Sequence, residues 1–300
     1  MIDAEPVNQV QPPPEMLRLW AEHLIPAPRD VWYWDNSPLD FDLTGCQVMT
    51  RDAYRADAAY NTISYDNAYL SWKMPSEVVQ LIISDPEWIG DLPGDDRQRV
   101  LQKQVDLKRG LVFSAGWFGD LPAELQEFLV DDQVVLGQSV WASLPTDILH
   151  HVLRAEQRRW DEVDCYPVPA NAPAHVRAVA NSFIPQEGTN CFAIAAYGAT
   201  ENAWLLREWF KPPAFHALLE ANRYQPVPAS EPIADDIVIF ERDGDTMHAA
   251  WCATHDRFLN KNGQSWFNPV RIVNWEMLKA EWPEATRTTI YRRGEASNDE

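Results

Sequence analysis

The chain has 300 residues, 46% of them hydrophobic, which is enough for two cores rather than one. Its 45 acidic residues against 25 basic ones give a formal net charge of −20, a field that repels phosphate backbones and argues against a nucleic-acid partner. No run approaches the roughly 20 apolar residues of a membrane helix, so no membrane insertion is expected, and the acidic start Met1-Ile2-Asp3-Ala4-Glu5 lacks the basic and apolar parts of a secretory signal.

In chain order, residues 1–14 end in Pro12-Pro13-Pro14 and read as a flexible N-terminus. Residues 15–165 read as a helix-rich domain. Residues 16–24 carry Met16, Leu19, Trp20 and Leu24 at helical spacing. Ser76 and Glu77 open the apolar run 78–83, read as a buried helix. Residues 95–108 place Val100, Leu101, Gln104 and Val105 on one helical face. Pro122 starts a helix over 123–130, and Pro145-Thr146-Asp147 starts another over 148–160. Three prolines make residues 166–173 the expected linker. The following segment, 174–293, changes texture. Helices are expected over 191–197, 201–210 and 215–222, and a proline-rich break over 224–232. Strands follow over 236–241, 247–253, 257–261, 270–273 and 288–292, with a helix over 275–281. Residues 294–300 read as a flexible tail. Helices first and an antiparallel sheet after is an α+β arrangement.

The chemistry centres on Cys191. The four cysteines, Cys46, Cys165, Cys191 and Cys252, form no Cys-x-x-Cys pair and have no His at zinc-finger spacing, which argues against a disulfide framework or a metal site and suits a cytoplasmic address. Cys191 follows Gly188-Thr189-Asn190, where Thr and Asn are good helix caps. In the first helical turn, free N–H groups and the helix dipole favour a thiolate and can hold an oxyanion. A lone Cys there is more often a small buried hydrophobe. His248 adds a base, on a strand where Ala250 and Cys252 share its face and Ala249, Trp251 and Ala253 share the other. If the next hairpin pairs Ala253 with Arg257, Asn260 and Asn262 both come to the His248 face, and either could orient the imidazole through Nδ1–H. Gln186, five residues before Cys191, is a further oxyanion candidate, although an exposed loop glutamine is the commoner case.

The segments Gly188-Thr189-Asn190-Cys191-Phe192, Asp235-Asp236-Ile237-Val238-Ile239-Phe240, His248-Ala249-Ala250-Trp251 and Phe258-Leu259-Asn260-Lys261-Asn262-Gly263 together resemble the NlpC-type papain-like cysteine peptidases, over about 120 of the 300 residues. The order, Cys before His, is that of the unpermuted members. The resemblance implies a papain-like domain, with a helical part followed by an antiparallel sheet. It also implies a triad of Cys191, His248 and a polar third residue about a dozen positions on. The 12-residue interval from His248 favours Asn260, with Asn262 the alternative.

The expectation is therefore a thiol hydrolase acting through a covalent acyl-enzyme on an amide, isopeptide or ester bond of a peptide-like or acyl substrate, without a cofactor. An acyl or amide transferase on the same site and a catalytically silent papain-like interaction protein are the alternatives. The N-terminal domain is a possible docking surface for a protein partner.

Overall fold

The computed structural model describes residues 9–26, 28–161, 164–228 and 231–294. Most of the two ends expected to be flexible, 1–8 and 295–300, lies outside the described residues. The chain divides into two compact units, one spanning 13–156 and the other 157–300 together with the residues before Pro13, so the boundary falls inside the helix over 146–160.

The N-terminal unit begins with α1 (Pro14–His23), whose first residue is a proline where a missing N–H costs nothing. It continues through β1 (Asp30–Trp34), β2 (Gln47–Thr50), α2 (Arg51–Ala56), α3 (Ile63–Tyr69), β3 (Gln80–Ser84), α4 (Trp88–Asp91), α5 (Gly94–Leu107), β4 (Leu111–Ser114), β5 (Leu129–Val130), β6 (Gln133–Leu136), α6 (Gln138–Ser143) and α7 (Thr146–Trp160). Two three-stranded antiparallel sheets, β1-β3-β2 and β4-β6-β5, accompany the helices. The expectation of a helix over 78–83 is corrected here. That run forms β3, the middle strand of its sheet, with both edges paired and both faces covered. A short apolar run without alternation fits a central strand as well as a buried helix, and its length of one turn and a half favours the strand. Residues 123–128 form a 3-10 segment, not an α-helix.

The C-terminal unit holds α8 (Ala174–Val179), α9 (Cys191–Thr200), α10 (Pro212–Ala221), β7 (Tyr224–Val227), β8 (Ile237–Arg242), β9 (Asp245–Thr254), β10 (Arg257–Lys261), β11 (Val270–Val273), α11 (Trp275–Ala280) and β12 (Arg287–Arg293). The six strands form one antiparallel sheet in the order β11-β10-β9-β8-β12-β7. The β8–β9 hairpin turns through Asp243 and Gly244, both at positive φ, 53° and 92°, as a two-residue I′-type turn requires. Residues 203–207 form a 3-10 turn where a longer helix was expected, and Pro212 starts α10 instead of ending the preceding segment. The proline-rich stretch from Tyr224 contributes β7, an edge strand that tolerates Pro226.

The expected linker is also corrected. Residues 166–173 pack onto the C-terminal unit. Tyr166 N–H donates to Ile272 O at 2.8 Å, Asn181 Nδ2 donates to Tyr166 O at 2.8 Å, and Ala172 is buried. Prolines lack donors but still lay an extended chain along a surface, so their density does not by itself make a free tether.

The sheet is apolar on both faces. One cluster contains Ile237, Ile239, Ala249, Trp251, Leu259 and Ile272 together with Cys191 and most of α9. The other contains Val238, Phe240, Ala250, Cys252, Phe258, Val273 and Leu278. Alternation along the strands sends neighbouring residues into different clusters.

Candidate functional site

Cys191 is the first residue of α9. Asn190 caps the helix, accepting from Ala193 N–H at 3.0 Å, while its Nδ2 donates to Phe210 O at 2.8 Å. Thr189 Oγ1 donates to Leu206 O. Gly188 sits at φ 104°, and a Cβ there would meet Arg207 O at 3.2 Å and Trp209 N at 3.3 Å. The Gly-Thr-Asn run therefore pins the start of α9 beneath the 203–210 segment. Along its length α9 carries Ala193, Ala195, Ala196 and Gly198, small residues that let it lie close on the sheet.

Burial pushes the Cys191 thiol up to about 11. The N–H groups of Ala249 and Phe192, the Lys261 ammonium and its own N–H pull the other way without cancelling that cost. The expectation that a helix start yields a thiolate is thus overturned for the resting protein, because desolvation of the charged sulfur exceeds the help from dipoles.

His248 is fully buried. Its Nε2 shares a hydrogen bond with Asn260 Oδ1 at 2.7 Å, and Trp282 stacks on the ring with centroids 4.3 Å apart and planes 19° apart. The bond reaches Nε2, whereas the sequence reading assigned it to Nδ1. Nδ1 is buried and makes no hydrogen bond among the described residues. Burial pulls the imidazole down to about 3, against the Asn260 bond, with Arg271 adding to the lowering.

Asn260 is also fully buried and donates through Nδ2 to Glu281 Oε2 at 3.0 Å and to Asn262 Oδ1 at 3.2 Å. Asn262 therefore holds Asn260, not the imidazole. The expected register of the β9–β10 hairpin is present at Phe258↔Cys252 and Leu259↔Trp251, after an irregularity at Arg257. Gln186 is exposed in the loop before α9.

The expected pair of Cys191 and His248 is not joined. Phe240 lies opposite His248 on β8, with ring centroids 6.0 Å apart, so the imidazole stands on the Phe240 face. Cys191 packs with Ala249 and Trp251 on the other face. The sequence fixes which residues of β9 share a face but not which face α9 covers. The two groups are nonetheless close along the chain path, since the Ala249 N–H that acts on the sulfur belongs to the peptide leaving His248. The β9–β10 ladder ends at Leu259↔Trp251, so at His248 the strand is paired only on its β8 side.

Two buried cations around the site were not anticipated. Arg271 is fully buried, its Nη2 bonded to Glu281 Oε1 at 3.0 Å and its Nε 3.5 Å from Asp161 Oδ1. Lys261, on the Cys191 face of β10, donates to Ser265 O at 2.8 Å, and burial pulls its ammonium down to about 7. A signal for both existed. Each is a cation inside a strand whose alternation assigns it to a core, which requires a buried partner.

Comparison with protein-family models, with curated proteins and with solved structures found no match to this chain.

Proposed function

We propose that the C-terminal unit is a papain-like thiol hydrolase with Cys191 as nucleophile, His248 as base and Asn260 as the residue orienting it. The observation that carries this reading is the half-satisfied imidazole. A structural histidine in a core has partners on both nitrogens, because an orphaned buried polar group costs about 1–3 kcal/mol. His248 is held through Nε2, roofed by Trp282, and keeps a bare, buried Nδ1. That is the arrangement of a base whose remaining nitrogen takes a proton.

The resting groups are a neutral thiol and a neutral imidazole. The reading requires a rearrangement of the α9 start or of the β9 end that brings the Cys191 sulfur and the imidazole to one side of the strand. Nδ1 then takes the thiol proton as sulfur bonds to the substrate carbonyl carbon. The same proton passes to the departing amine or alcohol, leaving a thioester that water hydrolyses to acid and thiol. An amine in place of water gives the transferase version. The N–H groups of Cys191 and Phe192 are the donors for the oxyanion. The absence of Cys pairing suits action inside a reducing cell, on a peptide-like or acyl substrate.

A second reading, a papain-like scaffold without catalysis, is favoured by the placement of sulfur and ring on opposite faces. Hydrolysis of p-nitrophenyl acetate by the full chain, with peptide mapping of trapped acyl groups, decides between them. The hydrolase reading expects an acyl adduct on Cys191 and turnover lost in Cys191→Ala and in Asn260→Leu. Turnover that survives Cys191→Ala, or acyl groups distributed over Cys46 and the other cysteines alike, sinks it in favour of the scaffold.

A further inference from the structure

Glu281 bridges two buried groups. One oxygen, Oε2, accepts from Asn260 Nδ2 at 3.0 Å, and the other, Oε1, accepts from Arg271 Nη2 at 3.0 Å. Arg271 has no exposed surface and cannot leave. A carboxylate only accepts, so the group facing it must donate. The second Nδ2 proton points at Asn262 Oδ1, 3.2 Å away. Were the Asn260 amide turned over, its carbonyl would face two oxygens and its NH2 would face the imidazole. The carboxylate therefore forces the carbonyl of Asn260 towards His248, and a carbonyl can only meet an N–H.

We propose that Glu281, clamped by Arg271, is a positioning residue that fixes the Asn260 amide and thereby the tautomer of His248, with the proton on Nε2 and the lone pair on Nδ1. The catalytic meaning of this relay rests on the hydrolase reading. The tautomer itself does not depend on turnover. In a protein that used His248 only for packing, either tautomer would serve.

The experiment is NMR of the histidine-15N-labelled full chain at neutral pH, in which protonated and bare ring nitrogens are well separated. The chain has 7 histidines, and the His248 signals are assigned by their loss in His248→Gln. The native protein is expected to carry the proton on Nε2. In Glu281→Gln the new amide has one acceptor, and Arg271 claims it, because a charge-assisted hydrogen bond is roughly twice as strong as a neutral one. Its NH2 then faces Asn260, the Asn260 amide turns over, and the proton moves to Nδ1. Adding Asn260→Asp supplies a carboxylate that accepts from both neighbours, so the double variant is expected to return the proton to Nε2. A native proton on Nδ1 overturns the inference, and this measurement needs no variant to fold. A folded Glu281→Gln protein with the proton still on Nε2 overturns the role of Glu281. If ester turnover depends on Cys191, Glu281→Gln should also lower kcat by about 10²-fold with little change in KM, and the double variant should recover it. A tautomer that behaves as expected without Cys191-dependent turnover removes the hydrolase reading and leaves the positioning role standing.

Discussion

Gly198 offers a sharp test of how α9 is seated. In an exposed helix, Gly→Ala stabilises by about 0.8–1 kcal/mol through backbone entropy. At Gly198 that gain meets an obstacle. A Cβ would lie 2.8 Å from Cδ2 of Trp251 and 2.9 Å from Cε3 and Cγ, three atoms of one rigid ring. The indole has nowhere to retreat. It is 4% exposed, its Nε1 donates to Asp235 Oδ1 at 3.0 Å, and the His175 ring packs with it at 6.5 Å. Overpacking of this kind costs about 1–3 kcal/mol, and breaking the Asp235 bond adds about 1 kcal/mol. The clash outweighs the propensity gain, and Gly198→Ala should destabilise the C-terminal unit by about 1–3 kcal/mol net. Urea unfolding followed by far-UV circular dichroism reads this as a lower midpoint at constant slope. The double variant with Trp251→Val, which removes the ring, should recover the propensity gain, so the two substitutions are expected to be strongly non-additive. Equal or greater stability of Gly198→Ala alone would refute the reasoning.

Two pH effects of opposite sign are expected. His248 has a folded value near 3 against 6.5 for a free imidazole, so the unfolded chain takes up this proton first. The C-terminal unit should lose stability as pH falls from about 6.5 towards 3, by up to about 5 kcal/mol from this group alone. Guanidinium midpoints across that window measure the slope, and His248→Gln should flatten it; an unchanged slope would contradict the buried neutral imidazole. In the N-terminal unit, burial raises the Asp30 carboxyl from 3.8 to about 7, against hydrogen bonds from Tyr69 Oη at 2.8 Å and Gln138 N–H at 3.0 Å. Its contribution is complete below about 4 and is lost as pH rises through 7. Asp30→Asn should remove that slope and raise the midpoint at pH 8, and a fall in the pH 8 midpoint would show that the ionised carboxylate is the stabilising form.

The legible parts of the fold are those where one face meets solvent or a turn is chemically marked. Helix α5 is announced by Asp95 and Asp96 in its first turn and by the spacing of Val100, Leu101 and Gln104. The hairpin at Asp243-Gly244 and the strands around it follow from turn chemistry and alternation. The N-terminal strands were hidden because β1 and β3 are covered on both sides, so Val31-Trp32-Tyr33-Trp34 and Leu81-Ile82-Ile83 carry no period of two. At the site, strand register brought both Asn260 and Asn262 to the His248 face, and only the 12-residue interval of the resemblance singled out Asn260, the residue that meets the ring. The side on which α9 packs was not readable, because Ala249, Ala250, Trp251 and Cys252 are all apolar and either face of β9 could accept a helix. Glu281 lies beyond the end of α11, where no sequence period links it to a strand 21 residues earlier.

The order β8-β12-β7 has a consequence for synthesis. Strand β7 touches the sheet only through β12, and β12 follows the sheet's five other strands in the chain. While the chain is being made, the Cys191 helix and strands β8 to β11 can assemble, but the open edge of β8 stays unpaired and β7 has no place to dock. The sheet is then closed from the middle outward by β12, which makes the interval before β12 emerges the one in which a chaperone, or a second nascent copy, can compete for that edge.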